Sequence, residues 1–131
     1  MAGSIDEGSS GVGTRVLEAR EGATAVLRLN RPERRNALDD AMLRELGAAL
    51  ERLFIDETVH SIVLAGAGTC FCSGRDRKEV GGPDSTPVRL QDASLEGTVS
   101  VFTRVLAQLS SAPKPTIAAV HGVALAGGQA L

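Results

Sequence analysis

Two glycine-bearing loops hold the residues of this chain whose types and spacing best suit chemistry. The first, FCSGRD at 71–76, and the second, LAGGQ at 125–129, each follow a predicted strand. Loops at the carboxyl ends of parallel strands converge on one edge of a sheet, so their backbone N–H groups can polarise one ligand oxygen. The alternative is that Gly74, Gly127 and Gly128 only permit tight turns, and spacing alone leaves both interpretations open.

The glycine spacing does not match the two common nucleotide-binding loops. Residues 61–68, SIVLAGAG, look like a strand leading into a glycine loop, but the dinucleotide fingerprint requires a third glycine where Phe71 stands. A phosphate-binding P-loop requires four residues between its glycines, followed by Lys. Gly68 and Gly74 enclose five residues, and Arg75 follows them. Neither nucleotide site is therefore predicted.

Basic side chains gather on two predicted loops, one around 34–35 and one at 75–78: Arg34, Arg35, Arg75, Arg77 and Lys78. Arg binds phosphate through its bidentate fork and Lys as a point charge, so together they could bind a phosphorylated ligand. The alternative is solvated surface charge, which is the commoner state of any single basic residue.

The histidines and cysteines give weaker signals. His60 and His121 lie beside apolar strands without an identifiable carboxylate partner, which favours packed or turn-capping imidazoles over catalytic ones. Cys70 and Cys72 are too few for a disulfide scaffold and lack further ligands at zinc-finger spacing. We therefore expect two reduced thiols and no metal site.

A strand, a helix and a second strand are predicted to position the first loop. The β-rich segments 24–29 and 60–65 flank a segment that starts at Asp39, a good N-cap. This segment carries apolar residues at helical spacing through about Phe54. The order predicts a right-handed crossover between parallel strands.

The same order is repeated before the second loop. Apolar residues spaced by four and three from Leu95 predict a helix that ends near Ser110, and a strand at 116–120 leads to the second glycine loop. The fold class is therefore α/β. Only three residues follow Gly128, fewer than one helical turn, so we expect no helix there.

Composition indicates one domain at 14–131 behind a flexible tail at 1–13 that lacks the features of a secretory signal. The net charge of −2 and the low aromatic content of 2% argue against nucleic-acid binding. No apolar run reaches the roughly 20 residues of a membrane helix. We expect a cytoplasmic protein without a membrane segment.

Three segments together give a more specific signal: LRLNRPERRNAL at 27–38, GAGTCFCSGRDRKEV at 66–80 and KPTIAAVHGVALAGG at 114–128. In this order, over about 16–131, they resemble the crotonase superfamily, enoyl-CoA hydratase/isomerase family. The resemblance implies a stacked strand-strand-helix spiral, of which this chain is the N-terminal portion. It also implies a lyase or isomerase of fatty acid metabolism that binds acyl-CoA thioesters, with coenzyme A as part of the substrate and no separate cofactor.

The resemblance assigns roles to particular residues. The backbone N–H groups of Arg75 and Gly127 would form an oxyanion hole that stabilises the enolate of the thioester, and one such donor can be worth about 10²- to 10³-fold in rate. Arg34 or Arg35 and Lys78 would approach the CoA phosphates. The remaining substrate-binding positions implied are Ala37, Leu38, Ser73, Gly74, Asp76 and Arg77.

The sequence also departs from the family pattern. Ala130 stands where hydratases of the family carry a Glu, and their second catalytic carboxylate falls beyond Leu131. We therefore expect a domain truncated at its C-terminus and catalytically incomplete alone, without the region that forms family trimers or hexamers. The alternative is a non-catalytic fragment that binds CoA or a partner. Either way, the apolar segment 116–125 is expected to be exposed and to promote association.

Overall fold

The computed structural model describes residues 14–76 and 96–131. The proposed tail at 1–13 and the start of the second predicted helix at Leu95 lie outside these residues. Besides a 3-10 helix at Pro32–Arg34, the described elements are four strands, β1 to β4, and three α-helices, α1 to α3. In chain order they are β1 (Val16–Glu21), β2 (Thr24–Leu29), α1 (Asp40–Ile55), β3 (Ser61–Gly66), α2 (Glu96–Ser110), β4 (Thr116–Ala118) and α3 (Gly127–Ala130).

The four strands form one mixed sheet in the order β1-β2-β3-β4. β1 and β2 are an antiparallel hairpin, closed at a turn in which Gly22 has a φ of 59°. β2 pairs in parallel with β3, and β3 pairs in parallel with β4. The crossover through α1 is confirmed. The residue pattern did not predict β1, because its charged residues interrupt the apolar run.

Helix α1 begins and ends with defined capping interactions. Asp39 is its N-cap and accepts a hydrogen bond from the Met42 N–H at 2.8 Å, which confirms the predicted start. At the other end, Lys114 Nζ donates to the carbonyls of Leu53 at 2.6 Å and Asp56 at 2.5 Å. A cation at a helix C-terminus satisfies carbonyls that have no partner within the helix.

The hydrophobic core lies between the sheet and the apolar face of α1. Every second residue of β2 is buried, and α1 presents its apolar face to these side chains. From α2, Val105 completes the core with 1% of its surface exposed. Aliphatic residues make up most of this core, and its largest fully buried side chain is Phe71.

The C-terminal segment differs from the sequence prediction in two ways. The last strand covers three residues, Thr116–Ala118, rather than five. The expectation of no helix after the second loop was wrong, because the helical turn begins at Gly127 itself. In this turn the N–H groups of Gly128 and Gln129 donate to the carbonyls of Leu125 and Ala126 at 2.7 and 3.0 Å.

The expected exposure of the apolar segment is confirmed. Ile117, Val120 and Leu125 are 53%, 55% and 53% exposed. β4 is also the last strand of the sheet, so one of its edges has no neighbour among the described residues. Within the same residues, every helix is too short or too polar to cross a membrane.

Candidate functional site

The loop between β2 and α1 is organised by one buried asparagine. Asn36 has a φ of 55°, a left-handed conformation that Asn adopts more readily than most residues. Its Nδ2 donates to the carbonyls of Ala67, Cys70 and Phe71 at 2.9, 2.9 and 3.1 Å. Its Oδ1 accepts from the Arg31 N–H at 2.9 Å. Asn36 thus fixes this loop against the segment that leads into the first glycine loop.

The first glycine loop lies between two other backbone segments. On one side the Leu38 N–H donates to Gly74 O at 2.7 Å, and the Asp76 N–H donates to Leu38 O at 3.0 Å. On the other side the Cys72 N–H donates to Val123 O at 3.1 Å, and the Leu125 N–H donates to Cys72 O at 3.0 Å. These bonds bring the two glycine loops together, as their positions after parallel strands predict.

This arrangement determines the direction of the Arg75 N–H. Leu38 forms backbone hydrogen bonds with Gly74 and Asp76. The N–H of Arg75, which lies between them, therefore points away from Leu38, because alternate residues of an extended backbone direct their N–H groups to opposite sides. A methyl group placed on Gly127 would lie 3.5 Å from Arg75 N. Within residues 14–76 and 96–131, neither the Arg75 N–H nor the Gly127 N–H donates to an acceptor. The two loops therefore approach each other closely at Arg75 and Gly127, where both backbone N–H groups lack an acceptor among the described residues.

Two of the glycines are required by the packing of the loops. Gly74 has a φ of 103°, and a Cβ there would lie 3.0 Å from Leu125 O. A Cβ on the buried Gly128 would overlap Cys72 O. The interpretation that these glycines permit tight backbone geometry is therefore confirmed for both. It is compatible with a donor role for Gly127, whose φ is not positive.

The Arg75 side chain is directed towards the start of α1. Its guanidinium donates to Asp40 Oδ1 at 2.9 Å and to Leu38 O at 3.1 Å. These bonds hold the side chain against the protein while the backbone N–H faces Gly127. The side chain is 15% exposed and participates in the loop scaffold.

An ion-pair cluster that the sequence did not predict holds Asp76, the residue after Arg75, in place. Arg31 Nη1 lies 3.0 Å from Asp76 Oδ2 and 3.3 Å from Asp39 Oδ2. The Arg31 side chain is 10% exposed, and the cluster extends to Arg15 Nε at 3.3 Å from the same Asp39 oxygen. Arg31 and Asp76 are 45 positions apart, so spacing gave no signal for this pair.

The remaining substrate-binding positions lie around the same loops, in different environments. Arg34 and Arg35 are exposed, whereas the Leu38 side chain is fully buried in the core. Ala37 and Ser73 are half-buried, and Ser73 Oγ donates to Arg34 O at 3.5 Å. Arg77 and Lys78 lie outside the described residues. The described positions are thus brought together mainly through their backbones.

Both cysteines are buried free thiols. Burial raises the pKa of the Cys72 thiol, and its hydrogen bond from the Gly74 N–H partly offsets this effect. His121 Nε2 lies 2.9 Å from Gly68 O, which agrees with a turn-capping imidazole. Among the described residues, no group of three or more His, Cys, Asp or Glu side chains could hold a metal ion.

A separate cavity of about 250 Å³ lies between β1, β2 and α1, away from the glycine loops. It is formed by Val16, Glu18, Leu27, Glu45, Ala48, Ala49 and Arg52. None of the predicted site residues is among them. The paired N–H donors, and not this cavity, therefore define the candidate site.

Comparison with known proteins supports one family. The enoyl-CoA hydratase/isomerase profile matches residues 19–131. A probable enoyl-CoA hydratase of Rhizobium meliloti is 38% identical over 86% of this chain and 40% of its own length. The 1,2-epoxyphenylacetyl-CoA isomerase of Escherichia coli is 36% identical over 88% of this chain and 43% of its own. The chain therefore spans about two fifths of the curated relatives it matches.

Solved structures agree with the sequence comparison. The crystal structure of an enoyl-CoA hydratase/isomerase from Xanthobacter autotrophicus Py2 superposes with a TM-score of 0.79 at 34% identity. The match covers 89% of this chain and 42% of that one. This similarity confirms an α/β fold that corresponds to part of a crotonase-fold enzyme. From the family profile, the relatives and the superposition together, the chain belongs to the enoyl-CoA hydratase/isomerase family.

Proposed function

We propose that this chain binds an acyl-CoA thioester with the carbonyl oxygen between the backbone N–H groups of Arg75 and Gly127. The observation that carries the proposal is the close approach of Arg75 and Gly127, which belong to different loops and whose N–H groups are free of acceptors within the described residues. The names of two relatives, a probable enoyl-CoA hydratase and a 1,2-epoxyphenylacetyl-CoA isomerase, support a CoA thioester as the ligand.

The proposed chemistry is stabilisation of an enolate. When a proton leaves the α carbon, or a nucleophile adds at the β carbon, negative charge develops on the thioester oxygen. Two N–H groups already held towards that oxygen need no reorganisation as the charge forms. Because both donors are backbone groups, an arginine at 75 is compatible with this role. Its side chain is occupied with Asp40.

The proposal extends to the CoA moiety and the reaction class. The exposed Arg34 and Arg35 are free to approach the CoA phosphates. The family resemblance assigns the same role to Lys78 and a place in the ligand channel to Arg77. By the family resemblance, Ala130 stands where hydratases have a Glu, so we expect this chain to hydrate crotonyl-CoA far more slowly than an intact hydratase. Turnover that rivals the intact enzyme would contradict this part. A lyase or isomerase role in cytoplasmic fatty acid metabolism belongs to the same proposal.

Calorimetric titration with two matched ligands tests the donor pair. Butyryl-CoA contains the thioester carbonyl, and S-butyl-CoA is the corresponding thioether without it. We expect butyryl-CoA to bind about 30-fold more tightly, because two neutral hydrogen bonds at about 1 kcal/mol each contribute about 2 kcal/mol. Equal affinities for the two ligands would refute the proposed role of the donors.

A pair of glycine variants completes this test. In Gly127→Ala the new methyl group would lie 3.5 Å from Arg75 N and occupy the space between the donors, so the preference for the carbonyl should disappear. Gly22→Ala is the control, because a Cβ there meets nothing within 4 Å and lies far along the chain from both loops. The control should retain the preference for butyryl-CoA.

The exposed segment favours a second candidate, a non-catalytic fragment that associates with another polypeptide. Ile117, Val120 and Leu125 are each more than half exposed, which is unusual for large apolar side chains lying this close together. Sedimentation velocity on the purified chain tests this idea. We expect concentration-dependent association, and a monodisperse monomer with a cooperative melting transition would contradict it.

A further inference from the structure

An aromatic side chain from α2 lies beside Gly127, where the two glycine loops meet. Phe102 is half-buried, and its Cζ would lie 3.2 Å from a methyl group placed on Gly127. That same methyl group would lie 3.5 Å from Arg75 N. The ring and the Arg75 backbone nitrogen therefore both lie within 3.5 Å of the position that a methyl group on Gly127 would occupy. Spacing alone identified Phe102 only as a residue on the apolar face of a helix.

The position of the ring has a steric consequence for any thioester held by the donors. The α carbon of an acyl group is two bonds from the carbonyl oxygen, so its substituents must fit beside the donors. Apart from the carbonyl carbon, a linear acyl chain has one carbon attached to its α carbon, and an α-branched chain has two. Because folded proteins are closely packed, an extra methyl group against a fixed ring is not easily accommodated.

We propose, on the basis of the function proposed above, that Phe102 determines acyl specificity by excluding thioesters branched at the α carbon. The ring belongs to a helix whose Val105, one turn further on, is fully packed in the core. Phe102 is therefore supported by the core and does not move aside freely. Removing the ring should create room for the second α substituent.

Butyryl-CoA and 2-methylbutyryl-CoA are matched probes, because they share the same four-carbon chain and differ only in one methyl group at the α carbon. We expect the unmodified chain to bind butyryl-CoA about tenfold more tightly, within the range that one methylene contributes to specificity. In Phe102→Ala the two affinities should agree within about twofold, because the excluded volume is gone. Calorimetric titration measures both affinities directly.

Two further variants make the experiment decisive. Phe102→Leu keeps apolar packing on α2 and should reduce the preference even if the alanine variant does not fold. Arg104→Ala changes an exposed side chain of the same helix and leaves the ring and its support in the core unchanged, so it should retain the tenfold preference.

The outcomes separate this inference from the proposed function. Equal binding of both thioesters by the unmodified chain, or an unchanged ratio in both Phe102 variants, overturns the specificity role alone. Failure of the unmodified chain to bind either thioester overturns the proposed function and this inference with it.

Discussion

Replacement of Asn36 by Ala provides the most direct test of how the loops are held. The Asn36 side chain donates two amide protons to three carbonyls and accepts one proton from the Arg31 N–H. Loss of three buried hydrogen bonds costs about 3 kcal/mol, at about 1 kcal/mol each. Alanine also tolerates the φ of 55° poorly, which adds up to about 1 kcal/mol. We expect a total loss of about 3–4 kcal/mol from the unfolding free energy.

Urea denaturation followed by circular dichroism measures this loss. Asn36→Gly removes the same hydrogen bonds but accepts the left-handed backbone, so it should recover about 1 kcal/mol relative to the alanine variant. Arg35→Ala is the matched control, because its φ is 50° and its side chain is exposed. We expect the control to change stability by less than about 0.5 kcal/mol. A loss below about 1 kcal/mol for Asn36→Ala would refute the role given to Asn36.

Three further predictions concern backbone strain, close packing and pH. Ala126 has a φ of 46° and a ψ of −116°, a strained backbone conformation for alanine, so Ala126→Gly should raise the unfolding free energy by about 1 kcal/mol. An unfolding free energy that does not increase in urea denaturation would contradict this strain. Gly128→Ala places a methyl group 2.9 Å from Cys72 C and should lower the unfolding free energy by at least about 2 kcal/mol. The control Gly22→Ala should lower it by about 1 kcal/mol. Equal losses for the two variants in urea denaturation would argue against the close contact. The hydrogen bond from Arg52 lowers the pKa of Glu18 in the folded chain. The stability that this bond provides is therefore present above the pKa of Glu18 in the unfolded chain, about 4.3, and is lost as the pH falls through the folded pKa. The stability difference between the unmodified chain and Glu18→Gln should therefore shrink as the pH falls below about 4.3 and vanish below the folded pKa. A difference in melting temperature that stays constant throughout acidification would show that the ion pair does not contribute.

The elements with strong local signals were predictable from the sequence. Asp39 precedes apolar residues at helical spacing, and α1 starts immediately after it, as these signals indicate. The end of α2 at Ser110 follows equally from the prolines beyond it. β1 was missed because its alternation includes charged residues, and the pairing partner that makes it a strand is β2. Local pattern carries no information about such a partner.

The candidate site was predictable only in part, for a related reason. The glycine loops could be located because glycine is required where backbones approach closely, as at Gly74 and Gly128. Their family resemblance supplied the proposed roles of Arg75 and Gly127, which remain predictions. The hydrogen bonds that Asn36 Nδ2 donates, and the approach of Phe102 to the Cβ position of Gly127, join residues far apart in the sequence. Such contacts depend on the completed fold and leave no spacing pattern.

The two backbone bridges on either side of the first glycine loop have a consequence for the order of folding. The β1–β2 hairpin joins neighbouring segments, whereas the bridge between Leu38 and Arg75 and the bridge between Cys72 and Ala124 close long stretches of chain. Contacts between residues far apart in the sequence form slowly, because the chain loses the entropy of loop closure before the contact energy compensates for it. Amide protons of the hairpin should therefore gain protection from hydrogen exchange before those of Leu38, Cys72 and Leu125 during refolding. The donors would then acquire their final direction in the last stage of folding.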